Sequence, residues 1–312
     1  RQVERLWDLD SVGVRPEDEV QEYFTDSIRF TGKRYSVKLP WKAGNRTPPS
    51  NFNHCVKRVR AQVKRLRGKP ELLKEYDNVI KEQLDLGILE KVPSVDLAEQ
   101  CHFLNHHCVV RENAATTRVR IVFNGSDKGG KYGVSLNDCL HVGPSLNPLL
   151  FDILLRFRES RVALTGDIEK AFLNVEVDEK DRDFLRFLWV DDIEEDNFKL
   201  EVYRFNRVVF GLNASPFLLN ATIRHHVSKY AEGDPRFFER MRNGFYVDDL
   251  VTGSDTAEEA LAIFQKAKVR MAETGFHLLK WVTNDRKLRE QMHAQEGEAT
   301  TIASLEDESY AK

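Results

Sequence analysis

Residues 243–253 read NGFYVDDLVTG. FYV and LVT are each β-prone, and only Asp248 and Asp249 stand between them. Two residues between short strands predict a tight hairpin with the Asp-Asp pair as its turn. Alternation along the strand then sets Tyr246 and Asp248 on one face. Adjacent carboxylates repel. The pair is therefore either plain turn chemistry, for which Asp is well suited, or a site built for a cation.

Asp167 tips the balance. It ends the apolar run RVALTGD (161–167) and precedes IEKAF. If that strand lies beside the hairpin, three carboxylates meet. Oxygen donors of this kind suit Mg²⁺, and paired Mg²⁺ ions serve phosphoryl transfer. Taken alone, Asp167 reads equally as a helix N-cap, because Glu169 and Lys170 follow. In FGLNASP (210–216), Gly211 lets the backbone approach a ligand. Ser215-Pro216 there opens a helix of roughly fifteen residues with Ser as N-cap. Arg118 and Arg120 alternate on a strand, where guanidinium groups fit phosphate oxygens or simply face solvent.

The remaining patterning is mixed. Val56, Val59, Val63 and Leu66 recur at helical spacing, and a second helix runs from Pro70 to Leu86 and stops at Gly87. Residues 108–112 and 117–124 alternate as strands. Helices are expected over 148–158 and 256–273, the latter capped by Ser254 or Asp255. Segments 178–190 and 199–210 read as two strands around the acidic loop DDIEEDN. Without a βαβα rhythm the fold class is α+β.

Composition narrows the function classes. Of 312 residues, 41% are hydrophobic and 31% charged, and apolar runs are too short for a membrane-spanning helix. The net charge of −3 hides an asymmetry. KRVRAQVKRLRGK (57–69) has seven basic residues and no acid, whereas 296–312 is acidic. Lys64 and Arg65 in the basic run either track a template's phosphates or form a solvated helix face. Four cysteines, Cys55, Cys101, Cys108 and Cys139, make no disulfide framework and suit a reducing compartment. The charged start RQVERLWDLD reads as part of something longer. CHFLNHHC (101–108) lacks the paired spacings of a zinc site. GSDTAEE (253–259) reads as a helix cap rather than the Asp-Thr-Gly of an aspartic peptidase.

Taken in order, the motifs resemble those of reverse transcriptases. LTGDIEKAF (164–172), FGLNASP (210–216) and FYVDDL (245–250) are similar to three successive palm motifs. LDLGILEKV (84–92), RVRIVFN (118–124) and TGFHLLKW (274–281) extend the likeness over about residues 52–284. LPWK (39–42), HHCVVRE (106–112), GVSLNDCL (133–140), DILLRFR (152–158) and EKDRDFLRFLW (179–189) resemble the Pao/BEL group of LTR retrotransposons.

The resemblance implies a fingers–palm fold. Residues 1–51 form an extended lead-in, and 52–142 with 175–207 form the fingers. Residues 143–174 with 208–284 form the palm, an antiparallel sheet backed by helices. Residues 285–312 form an acidic tail where a thumb is truncated or absent. It implies RNA-directed DNA polymerase activity with two Mg²⁺ ions, or Mn²⁺ in their place. Asp167 and Asp248 are then the principal metal ligands, Asp249 the third carboxylate, and the Ile168 carbonyl a further ligand. Phe172 is the steric gate for deoxyribose. Arg120 and Arg111 hold the triphosphate, with Phe210 and Gly211 beside the nucleotide. Tyr246 lies at the primer end, and Lys280 takes the place of a lysine that protonates pyrophosphate. Implied partners are a primed RNA or DNA template, dNTPs, and the thumb, RNase H and integrase of the same polyprotein, with no membrane. The implied location is a cytoplasmic retrotransposon particle or the nucleus. Phe210 stands where retroviral enzymes often carry Gln, and Asn124 where Asp is usual. The competing expectation is an inactive remnant that binds nucleic acid or a protein partner.

Overall fold

The apolar run before Asp167 forms the strand Val162–Ile168, the centre of a five-stranded sheet. Asp249–Ser254 flanks it on one side and Leu278–Thr283 on the other, both antiparallel. Phe245–Tyr246 forms one edge, antiparallel to Asp249–Ser254. Ala303–Ser304 forms the other, parallel to Leu278–Thr283. This computed structural model describes residues 16–44, 47–93, 100–110, 119–130, 133–296 and 303–304. The chain divides into two units. The first comprises Arg1–Ile28, Ser36–Pro144 and Glu176–Leu218; the second comprises Arg29–Tyr35, Ser145–Val175 and Leu219–Lys312 and holds the five-stranded sheet. Most strand pairs among the described residues are antiparallel, with strands and helices alternating from Asp249 to Ser304, and the whole is an α+β arrangement.

In the second unit the helix Ala257–Ala272 buries Ala260, Ile263, Phe264, Ala267 and Met271 and packs on the sheet's central strands. Phe264 meets Trp281 edge-on at 5.0 Å. Trp281 is wholly buried, and its ring leaves so little room that a Cβ on Gly166 would lie 3.0 Å from it. The helix cap is Thr256, not Ser254 or Asp255. Its hydroxyl accepts from the Glu259 N–H at 3.2 Å, while Ser254 Oγ donates to the Thr256 carbonyl. Thr256→Ala is expected to cost about 1 kcal/mol in a denaturant titration.

The first unit gathers the hairpin Asn105–Val110/Val119–Asn124 and the antiparallel sheet of Leu89–Val92, Leu200–Phe205 and Arg186–Val190. The helices Phe52–Arg67 and Pro70–Asp85 pack against them. Its core is aromatic. Tyr76 stacks on Trp189 at 4.6 Å, and Phe123 meets Phe187 and Phe205 edge-on. Several polar groups inside are paired. The Trp189 indole donates to Asp77 at 3.0 Å, and His106 bridges the Tyr76 hydroxyl and the Leu188 carbonyl. Burial depresses the His106 pKa to about 4, so the ring is neutral. His102 lies 3.1 Å from the Pro49 carbonyl. These two histidines of CHFLNHHC are thus core groups.

Several expectations need correction. Residues 179–185 form a 3₁₀ turn and the strand begins only at Arg186. The cause is Asp181, whose buried carboxylate accepts from the Leu39 N–H and the Trp41 indole. The following strand ends at Phe205, not 210. Residues 1–51 are not wholly extended, because Pro16–Ser27 is a helix that buries Val20 and Phe24. Within 285–312, Arg286–Glu296 is a helix that buries Leu288 and Met292. Ser215 is the first helical residue, and its hydroxyl donates to the Val209 carbonyl at 2.6 Å. Among the described residues no helix is long and apolar enough to cross a membrane.

Candidate active site

The hairpin register decides where the carboxylates stand. Phe245 pairs with Leu250 and Tyr246 with Asp249. The two-residue turn is therefore Val247-Asp248, one residue earlier than the Asp-Asp turn expected from propensity. Asp249 is the first residue of a strand. Alternation does not carry across the turn, so Tyr246 shares its face with Asp249 rather than Asp248. Val247 adopts φ +57, the positive φ that a two-residue hairpin turn needs and a β-branched residue resists. Two hydrogen bonds hold it there. The Val247 N–H donates to Asn147 Oδ1 at 3.0 Å, and the Ile168 N–H donates to the Asp248 carbonyl at 3.0 Å.

On its other side Asp249 pairs with Asp167, and Asp167 with Leu279. Directly opposed residues of neighbouring strands project to one face. Tyr246, Asp249 and Asp167 thus form a row across three strands, with Asp248 in the adjoining turn. Lys280 Nζ lies 2.5 Å from Asp167 Oδ2. Phe172, half-buried, sits in the 3₁₀ turn Ala171–Asn174. That turn is held by the Glu169 N–H to the His277 carbonyl at 2.9 Å and the Asn174 amide to the Glu169 carbonyl at 2.7 Å. Among the described residues, Lys170, Val247 and Lys280 are the non-glycine residues with positive φ. All three lie around this row, as strained backbone commonly does at functional sites.

Partial burial, then the charges of Asp248 and Asp167, push the Asp249 carboxyl above the ordinary carboxylate range; Lys280 pulls the other way. An acid whose folded pKa is raised favours the fold below its unfolded pKa, and that contribution is lost as pH rises through the folded value. In EDTA, the Tm difference between Asp249→Asn and the native chain is therefore expected to be near zero below about pH 3.8. It should favour Asp249→Asn increasingly as pH rises towards neutrality.

The donors are all oxygens, the type that holds a hard divalent cation, and three of them crowd one sheet end with too much negative charge. Asp167, Asp248, Asp249 and the Ile168 carbonyl could hold such ions. Their side chains are not gathered on one point. Among the described residues no three His, Cys, Asp or Glu side chains are arranged as a metal cluster, and Asp167 is engaged with Lys280.

The other expected site residues lie in the first unit. Arg120 is exposed on its strand opposite Val109. Phe210 is 66% exposed. Gly211 has φ +113, and its carbonyl accepts from the Asn137 amide at 3.3 Å. Lys64 and Arg65 are on the exposed face of the helix Phe52–Arg67. Arg65 also lines a cleft of about 420 Å³ with Arg58, Gln62, Asn105, His107 and Asn124. Arg111 and Arg118 fall outside the described residues. Sequence reasoning missed Asn147 and the Lys280–Asp167 pair. Neither has a local signal, since each contact joins segments about a hundred residues apart.

Residues 132–281 match the family model for reverse transcriptase (RNA-dependent DNA polymerase). No curated protein matches the chain. The matched span takes in the carboxylate row, Phe172, Phe210, Gly211, Tyr246 and Lys280, and leaves the hairpin with Arg120 and the basic helix before it. A domain of this kind works on a primed nucleic-acid template with dNTPs and generally uses divalent metal. The match over residues 132–281 indicates an RNA-directed DNA polymerase, a nucleotidyltransferase.

Proposed function

We propose that this domain copies RNA into DNA at the row formed by Asp167, Asp248 and Asp249. The observation that carries the reading is the register that sets Asp249 opposite Asp167, with Asp248 in the adjoining turn. Mg²⁺ ions, when bound, stabilise the attacking 3′-oxygen and the leaving pyrophosphate oxygen. The chain's own residues hold and orient. Asp167 and Asp248 are the main ligands, with Asp249 and the Ile168 carbonyl completing the set. Phe172, on its pinned 3₁₀ turn, fills the space a ribose 2′-OH would need. Tyr246, on the face of Asp249, positions the primer end. Arg120 and Arg111 bind the triphosphate, Phe210 and Gly211 border the nucleotide, and Lys64 and Arg65 meet template phosphates.

In this reading the second unit contains the palm and the first the fingers. The motifs of residues 39–42, 106–112, 133–140, 152–158 and 179–189 support a Pao/BEL-type origin. Thumb, RNase H and integrase are then parts of the same polyprotein, acting within a retrotransposon particle. An inactive remnant is not favoured, since the carboxylates keep their register and a strained turn is maintained beside them.

The metal reading is tested with dNTPs that carry sulfur on the α-phosphate. Sulfur is a soft ligand that Mg²⁺ takes poorly. One diastereomer is expected to extend slowly in Mg²⁺ and to recover in Mn²⁺. Equal rates for both isomers in both metals would overturn it.

A further inference from the structure

Lys280 occupies a break in the strand Leu278–Thr283. Leu279 pairs with Asp167, but the next regular pair is Val282 with Thr165. Within the break the Lys280 backbone turns to φ +51, a conformation a lysine adopts at a cost. Such a bulge re-aims a side chain. Here it lets neighbours face different ways: Trp281 is wholly buried, while Lys280 reaches its ammonium to Asp167. The Lys280 side chain is 60% exposed and that of Asp167 25%. Solvent screens a pair this open, and exposed pairs contribute little to stability. A strained lysine held for so small a return points to a purpose other than stability.

That purpose follows from the charges around it. Asp249 stands directly across from Asp167 and Asp248 follows Val247 in the turn. Set on neighbouring strands and the adjoining turn, these carboxylates repel one another, and a nearby positive charge offsets part of that repulsion. Lys280 supplies that charge at the Asp167 carboxylate.

We propose that Lys280 is a stand-in cation. It neutralises Asp167 in the metal-free protein and must release it when a divalent ion arrives, so it sets how tightly the row takes its first ion. The inference rests on the reading of Asp167, Asp248 and Asp249 as metal ligands. Lys280 is thereby a positioning residue, acting through Asp167.

The test is calorimetric titration of the chain with Mn²⁺, without nucleic acid or nucleotide. Competition by Lys280 is on the scale of an exposed ion pair, so Lys280→Met is expected to bind Mn²⁺ about two- to fivefold more tightly than the native chain. Lys280→Arg, which keeps the charge, should stay within about twofold of it. A purely structural lysine would give the opposite sign, because its loss would loosen the site and weaken the ion. Circular dichroism checks the fold, and Lys280→Gln serves if the Met variant does not fold. Equal or weaker Mn²⁺ binding by the folded neutral variant overturns the stand-in role alone. Mn²⁺ binding unchanged by Asp248→Asn overturns the underlying ligand assignment, and the inference with it.

Discussion

Asp248→Asn is expected to leave about one thousandth of the native rate of primer extension, or less. Metal-ion stabilisation of transition-state charge is worth several kcal/mol. A loss of about 4 kcal/mol at 1.36 kcal/mol per decade is roughly three orders of magnitude. The fold should survive the change. Asn tolerates turn geometry as Asp does, and the bond holding the turn runs from the Ile168 N–H to the Asp248 carbonyl, which is backbone. Metal-free stability should rise slightly, if anything, because one of the crowded charges is removed. Single-nucleotide extension on a primed RNA template, beside a thermal melt, separates the two effects. A fall in rate that tracked a fall in Tm would assign Asp248 a structural role instead.

Gly211→Ala is expected to cost about 3 kcal/mol or more, a Tm drop of roughly 6–12 °C for a unit of this size. Its φ of +113 is one that L side chains rarely adopt, and an added Cβ would lie 2.0 Å from the Phe123 carbonyl oxygen. Phe123 cannot move aside. It pairs with His106 in the hairpin, and its ring packs between Phe187 and Phe205. Gly130→Ala is the control in the same unit, since nothing lies within 4 Å of its added Cβ. It should change stability by no more than about 0.5 kcal/mol. Equal melts for the two variants would show that the backbone at Gly211 can relax.

Legibility followed how local each signal is. The strand Val162–Ile168 is readable because an apolar run ends abruptly in an Asp. The helices Phe52–Arg67 and Pro70–Asp85 are readable from apolar spacing, with Gly87 at φ +65 stopping the second. The helix Pro16–Ser27 escaped because few apolar anchors stand among its acids; Phe24 acquires meaning only against Phe217, 5.7 Å away. Segment 179–185 looked like a strand until the partners of Asp181, Leu39 and Trp41, were in place. The hairpin was legible and its register was not. Propensity favours Val247 in a strand, and it is Asn147, a hundred residues earlier, that helps hold it in the turn. The three carboxylates stand out as candidates from the order of the motifs. The lysine that engages one of them was placed by a bulge that no sequence pattern announces.

The central claim is that the row of Asp167, Asp248 and Asp249 adds deoxynucleotides to a primer on RNA. The most direct measurement is addition of one labelled dNMP to a primer annealed to an RNA template, by the 312-residue chain in Mg²⁺. Template-directed addition is expected, abolished by EDTA and by Asp248→Asn. A folded chain that binds the primed template in Mg²⁺ yet adds no nucleotide would contradict the account.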